Sequence, residues 1–284
     1  MSTTQVVHTI AELRSQVAAA RARGLKIGLV PTMGALHPGH VSLVAASARA
    51  CGFTVVTVFV NPTQFGPKED FAKYPRTLEA DVAQVAAAGA DLVFAPSVDE
   101  VYPAGNATFV EIGGVAEPLE GECRPGHFRG VATIVLKLFN IVGADVAYFG
   151  QKDYQQTLVV RQMVRDFNVP ITVEVCPTVR EPDGLAMSSR NVYLSPAERK
   201  QALALSRALR KTEQAVTAGE RSVWKLRDVL QTELAATPEV RVQYAVVADA
   251  ATLREPAELD RPCVALVATH VGTTRLIDNC LLRP

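Results

Sequence analysis

Two hydrophobic periods alternate along the first two thirds of this chain. Ile10, Leu13 and Val17 recur at helical spacing behind Thr9 and Glu12, the spacing of a reciprocal N-terminal cap, and Gly24 ends the run. An apolar stretch, Ile27 to Val30, is stopped by Pro31, and helical periodicity resumes at about Gly39. Past Gly52, the β-branched run Thr54 to Val60 is apolar on both faces, which predicts a buried parallel strand. Helices are then expected at Thr77–Ala88, Phe128–Val142 and Tyr154–Phe167, interleaved with strands at Asp91–Phe94, Val146–Phe149 and Ile171–Cys176. Pro96 to Arg129 breaks the rhythm, with one candidate strand at Thr108–Ile112; this excursion either lines a cleft or is a surface insertion.

Such alternation predicts an α/β fold, a Rossmann-like parallel sheet flanked by helices. It stops near Asp183–Ala186. Beyond that point Ser195, Pro196 and Glu198 form a capping box that opens a helix to about Thr217, and a second helix follows at Ser222–Ala236. Strands at Val240–Val247, Cys263–Thr269 and Thr274–Asn279 complete a smaller C-terminal α+β domain with an antiparallel sheet. The expected division is residues 1–184 and 185–284, with a hinge near Asp183 that lets the smaller domain act as a lid.

Composition narrows the class of partner. Lys plus Arg equals Asp plus Glu at 29 each, so no net field recruits nucleic acid or an anionic membrane, and a small-molecule ligand is expected. The five cysteines include no Cys-x-x-Cys pair, which argues against a zinc site or a disulfide framework. No basic-then-apolar leader opens the chain and no apolar run reaches spanning length, so a soluble cytoplasmic protein is expected.

The candidate chemistry gathers at strand-to-helix junctions. His37 and His40 bracket the first, with Pro38 and Gly39 between them, where N–H groups and the helix dipole favour phosphate. Gly34 and Gly39 let the backbone approach a ligand. Lys152 lies at the second junction, in FGQKDYQQ, either as an ammonium for a triphosphate or as part of an ordinary polar turn. Gln64 opens a long loop at the carboxyl end of its strand, where an amide suits hydroxyl and carboxylate groups, or simply faces solvent. Ser188, Ser189 and Arg190 follow the Gly184 turn as either a phosphate clamp or a polar loop. Walker-type, dinucleotide, nucleophile-elbow and His-Glu-x-x-His patterns are all absent.

PTMGALHPGH, FVNPTQFGP with ED and YPRT after it, RPGHF, FGQKDYQQ, PTVRE and DGLAMSSRN resemble, in order, the motifs of the pantothenate synthetase family within the adenylyl-transferring superfamily. That resemblance implies a two-step ligase in which pantoate attacks ATP to give pantoyl adenylate and β-alanine then displaces AMP. It implies magnesium with the ATP, and a homodimer. By motif position, Met33, Gly34, Ala35, Leu36, His37, Pro38, Gly39 and His40 hold ATP, with His40 as proton donor and His37 and Lys152 as catalytic partners. Gly150, Gln151, Lys152, Asp153, Val179, Met187, Ser188, Ser189 and Arg190 also match ATP-contacting positions. Gln64 matches a contact to pantoate and β-alanine, and Gln156 one to pantoate. The family often has Glu where Gln151 stands, and the Ser189–Arg190 pair makes the likeness to the synthetase Lys-Met-Ser-Lys-Ser loop a loose one. Asp81 and Gln84 are candidates for the pantoate and magnesium side, and the metal's protein ligands are not given by the sequence.

Overall fold

The computed structural model describes residues 4–67, 69 and 71–284; Lys68 and Asp70 of the long loop after Gln64 lie outside the described residues. Contacts divide the chain into two units, Met1–Gly150 with Gln155–Pro177, and Gln151–Tyr154 with Thr178–Pro284. The cut after Pro177 precedes Asp183–Ala186 because Arg180 and Ala186 form an antiparallel bridge within the second unit. Gln151–Tyr154 joins the second unit through the Asn279 side chain, which reaches the Gln151 and Lys152 carbonyls, and through Tyr154 OH, which donates to Ala250 O at 2.7 Å.

In the first unit the order is β1 (Gln5–Val7), α1 (Ile10–Ala22), β2 (Ile27–Thr32), α2 (Pro38–Ala50), β3 (Phe53–Val58), α3 (Leu78–Ala87) and β4 (Leu92–Phe94). Two short helices, α4 (Val98–Val101) and α5 (Glu120–Cys123), punctuate the excursion before α6 (His127–Val142), β5 (Val146–Gly150), α7 (Tyr154–Asp166) and β6 (Thr172–Cys176). The six strands are parallel in the order β1-β4-β3-β2-β5-β6. Strand alternation splits the core: Ile27, Leu29, Val55 and Phe94 pack with α1, α6 and α7, whereas Val30, Val56 and Val93 pack with α2 and α3. Helices thus cover both faces, as the apolar strand runs require.

From β2 the chain steps outward to β3 and β4, then returns to lay β5 against the other side of β2, with β6 beyond. Connections leave β2 and β5 in opposite directions. That makes their carboxyl ends the switch point at which open α/β sheets bind ligands.

The expected strand at Thr108–Ile112 does not form. Val110 N–H instead donates to Thr133 Oγ1 on α6 at 2.9 Å, so a helix side chain takes the place of a strand partner for this group. β1, which periodicity did not reveal, pairs with β4 over only three residues at the sheet edge.

The second unit holds α8 (Pro196–Thr217), α9 (Val223–Ala235) and an antiparallel meander of β7 (Val240–Asp249), β8 (Cys263–Val271) and β9 (Thr274–Leu282). The Ser195–Glu198 capping box is formed, and Leu205, Leu209, Leu226, Leu230 and Leu234 bury the helices on the sheet. No described helix is long and apolar enough to cross a membrane.

Candidate active site

The carboxyl end of β2 opens into a turn built for close approach. Gly34 and Ala35 are both left-handed, with φ of 80° and 51°. A Cβ on Gly34 would lie 3.1 Å from both Asp81 Oδ2 and Val58 Cγ1, so the position needs glycine for space as well as conformation. Holding Ala35 left-handed costs about 1–2 kcal/mol. Asp81, buried in α3, offsets that by accepting from Ala35 N–H at 3.0 Å, Leu36 N–H at 2.8 Å and Thr77 Oγ1 at 3.2 Å. Both its oxygens thus accept from the turn and hold its backbone in place. Gln84, one turn further on, is half-buried.

The turn delivers two imidazoles to the start of α2. His37 is the N-cap: its Nδ1 accepts from Gly39 N–H at 3.1 Å, while His40 Nδ1 accepts from His37 N–H at 3.4 Å. This is a capping box made of histidines, with ring centroids 4.1 Å apart. In a neutral imidazole the nitrogen that accepts an N–H carries no proton and the hydrogen sits on the other nitrogen, here Nε2. Protonation to imidazolium would put a hydrogen on Nδ1 and break the cap. The pair therefore places N–H donors beside the positive end of a helix, an arrangement suited to phosphate oxygens.

Gln64 sits in a single 3-10 turn, Pro62–Gln64, just past β3. Its Oε1 accepts from Asn61 Nδ2 at 3.2 Å, and its Nε2 points at Met33 Sδ at 3.0 Å. Thioether sulfur is a weak acceptor, so this N–H exchanges readily to a carboxylate or hydroxyl oxygen. Asn61 is buried and also binds Gly130 O, Thr63 and Tyr102 OH. At Gly130 a Cβ would come within 2.3 Å of Thr63 O, so only glycine lets α6 pack this closely on the turn.

The first turn of α6 clamps Gln64 from behind. His127 Nδ1 donates to Gln64 O at 2.9 Å and its Nε2 accepts from Arg124 at 3.0 Å, while Arg124 grips Glu69 through two 2.7 Å bonds. Burial together with the Arg124 charge pushes His127 down to about 4. Burial raises the Glu69 carboxyl, and the Arg124 fork outweighs it to leave that group below its usual range. The neutral imidazole has a measurable consequence. Between pH 6.5 and about 4 the unfolded chain binds a proton at this position and the folded one does not, so stability falls as pH drops through that window. In His127→Gln the loss of stability between about pH 7 and pH 5, followed by urea midpoints, is expected to be smaller than in the parent; an unchanged loss would refute this assignment.

Neighbouring amides on α7 divide labour. Gln155 is buried and accepts from Glu120 N–H while donating to Val115 O and Pro118 O, which ties down the excursion. Gln156 beside it is only half-buried.

Gly150 ends β5 in the first unit. In the second unit Gln151–Asp153 forms one 3-10 turn, where Lys152 Nζ lies 3.7 Å from Asp153 Oδ1 and its side chain is 20% exposed. Val179 O accepts from Met187 N–H at 3.0 Å, and Ser188 caps a 3-10 turn, Ser189–Tyr193, by accepting from Arg190 N–H at 3.3 Å. Val179 and Met187–Arg190 thus form one local structure, and all are half-buried. Among the described residues no group of three or more His, Cys, Asp or Glu is placed to hold a metal ion. Sequence reasoning gave no role to Asn61, Arg124, His127 or Gly130, although FVNPTQFGP contains Asn61 and RPGHF contains Arg124 and His127.

A family model for pantoate–β-alanine ligases matches residues 5–281. The pantothenate synthetase of Moorella thermoacetica is 54% identical over 98% of this chain and 98% of its own length. The chain belongs to the pantoate–β-alanine ligase family. A crystal structure of the family's Thermus thermophilus enzyme matches with a TM-score of 0.95 at 47% identity, covering 99% of this chain and 100% of that one. The Francisella tularensis ligase, solved in complex with β-γ ATP and β-alanine, matches with a TM-score of 0.81 at 34% identity over 98% of this chain and 97% of its own.

Proposed function

We infer that this protein is an ATP-dependent ligase that joins pantoate to β-alanine. A pantoate carboxylate oxygen attacks the α-phosphorus of ATP, the bond to the β-phosphate oxygen breaks, and pyrophosphate leaves. The amine of β-alanine then attacks the acyl carbon of pantoyl adenylate, expelling AMP and losing a proton to leave the amide pantothenate. The observation that carries this reading is the ligase-family match over residues 5–281.

Within that reaction, His37 and His40 donate from Nε2 to phosphate oxygens, and Met33 to Gly39 line the nucleotide. His40 serves the departing pyrophosphate. Lys152 contributes charge to the phosphates, with Gly150, Gln151, Asp153, Val179 and Met187–Arg190 as further nucleotide contacts. Gln64 binds pantoate and β-alanine, and Gln156 binds pantoate. Neutral amides suit a carboxylate that must attack, because a cation fixed on it would lower its nucleophilicity. Magnesium would arrive with the nucleotide and, when bound, would neutralise charge on the phosphate oxygens, for which this ion has a preference. The protein functions in the cytoplasm as a homodimer; light scattering that returned a monomer mass would refute the dimer.

An assay with ATP, pantoate and β-alanine, leaving out each in turn, tests the whole scheme. Pyrophosphate release should require pantoate, and AMP should appear with the amide. A product that retained the nucleotide would instead mark a nucleotidyltransferase, and an absence of turnover a nucleotide sensor. Gln64→Ala is expected to raise the pantoate KM by roughly 10-fold or more, the cost of a lost hydrogen bond to a charged group, with little change for ATP. Equal losses for both substrates would remove Gln64 from the pantoate site.

A further inference from the structure

Two adjacent polar residues near the end of β9, Asp278 and Asn279, are buried to 3% and 2% exposure and belong to no motif assigned above. Strand alternation sends them to opposite faces, Asp278 with Leu276 and Cys280 toward the helices, Asn279 away from them. On one face, Asn279 Nδ2 donates to Gln151 O at 3.0 Å and to Lys152 O at 2.9 Å, while its Oδ1 accepts from Gln151 Nε2 at 3.3 Å. On the other, the Asp278 carboxylate takes a bidentate Arg180 at 2.7 and 3.0 Å, and Arg180 also donates to Gly184 O and Asn279 O. Arg180 bridges Ala186, and Met187 N–H bonds Val179 O, so fixing Arg180 fixes the whole loop from Val179 to Met187.

We propose that Asp278 and Asn279 are positioning residues for the two nucleotide-contacting segments of the second unit, Asn279 for Gln151–Asp153 and Asp278, through Arg180, for Val179–Arg190. The inference rests on the reading of Lys152 and Met187–Arg190 as nucleotide contacts. A primary amide has two donors and one oxygen, and here all are used. Drawing both carbonyls to one side turns the following N–H groups, of Lys152 and Asp153, to the opposite side, because C=O and N–H of a trans peptide point apart. Carbonyl oxygens, which would repel a phosphate, are thereby kept away from it, and the backbone that carries the Lys152 ammonium is fixed. Aspartate offers no donor at this position and serine only one.

The test uses the full chain and pantoate-dependent pyrophosphate release. Asn279→Ala is expected to lower kcat on the order of 10- to 100-fold, the penalty of a displaced group, with the pantoate KM unchanged. In a Lys152→Ala background the same change should cost almost nothing further, since it acts through Lys152. Asp278→Asn, which keeps size and shape, is expected to raise the ATP KM alone. A parental kcat in Asn279→Ala, penalties that multiply in the double variant, or a joint rise of both KM values in Asp278→Asn would each overturn the proposal. If Asn279→Ala does not fold, Asn279→Ser, which retains one donor, is judged by the same criteria. Should Lys152→Ala itself turn over at the parental rate, the role of Lys152 fails, whatever the position 279 variants do.

Discussion

Replacing His40 by alanine is expected to slow adenylate formation by about 100-fold or more, the usual loss when a pre-organised donor to developing charge is removed. The ring sits at the third position of α2 and its Nδ1 already accepts from His37 N–H, so the hydrogen it can donate to a ligand is the one on Nε2. Losing the cap bond costs about 1 kcal/mol, which the burial of Leu43, Val44 and Ser47 on the same helix absorbs without unfolding. Substitutions separate the two roles of the ring. Glutamine carries an amide N–H near the position of Nε2 and should restore part of the rate, whereas asparagine restores only the cap. Pre-steady-state pyrophosphate release reads the adenylation step directly. A His40→Ala enzyme at near-parental speed would remove the residue from the reaction, and an inactive glutamine variant would favour transfer of a proton over donation of a hydrogen bond.

Lys152→Ala should produce a loss of similar size, for a different physical reason. The ammonium is a point charge whose one described ion-pair partner, Asp153, lies 3.7 Å away, so little holds it back from a phosphate. Its backbone is fixed by Asn279 through the Lys152 carbonyl, which the substitution leaves in place. The side chain is mostly covered, so the change in stability is expected to be in the range of an ordinary point substitution, about 1 kcal/mol, and the fold should survive. If the charge acts mainly on the pentacoordinate phosphorus, kcat and kcat/KM for ATP fall together; a rise in KM at constant kcat would mean that Lys152 binds ATP without favouring the transition state. Thermal unfolding of the variant alongside its rate distinguishes both outcomes from misfolding.

The places of His40 and Lys152 in the fold were legible because each lies on a strand-to-helix junction that local pattern reveals. The residues that orient their surroundings were not. Asp81 binds a turn 46 positions away, His127 a carbonyl 63 positions away, and Asn279 a carbonyl 128 positions away. From sequence alone Asp81 is a candidate for the substrate and metal side of a pocket, and its bonds to the backbone of Ala35 and Leu36 are visible only in the structure. Asn279 reads only as the last residue of a strand.

Local order determined where helices and strands begin, what caps them and which faces are apolar, because those choices depend on residues within a few positions of one another. The Thr9 and Ser195 capping boxes and the αβ alternation were therefore readable in advance. Tertiary structure alone decided that β5 returns beside β2, that Thr108–Ile112 surrenders its N–H to Thr133, and that a three-residue strand joins the sheet edge. Each of those outcomes closes a long loop onto a partner whose identity follows from strand order, and strand order is set by how the two apolar faces of the sheet are covered, a property of the assembled layers and not of any short stretch of chain.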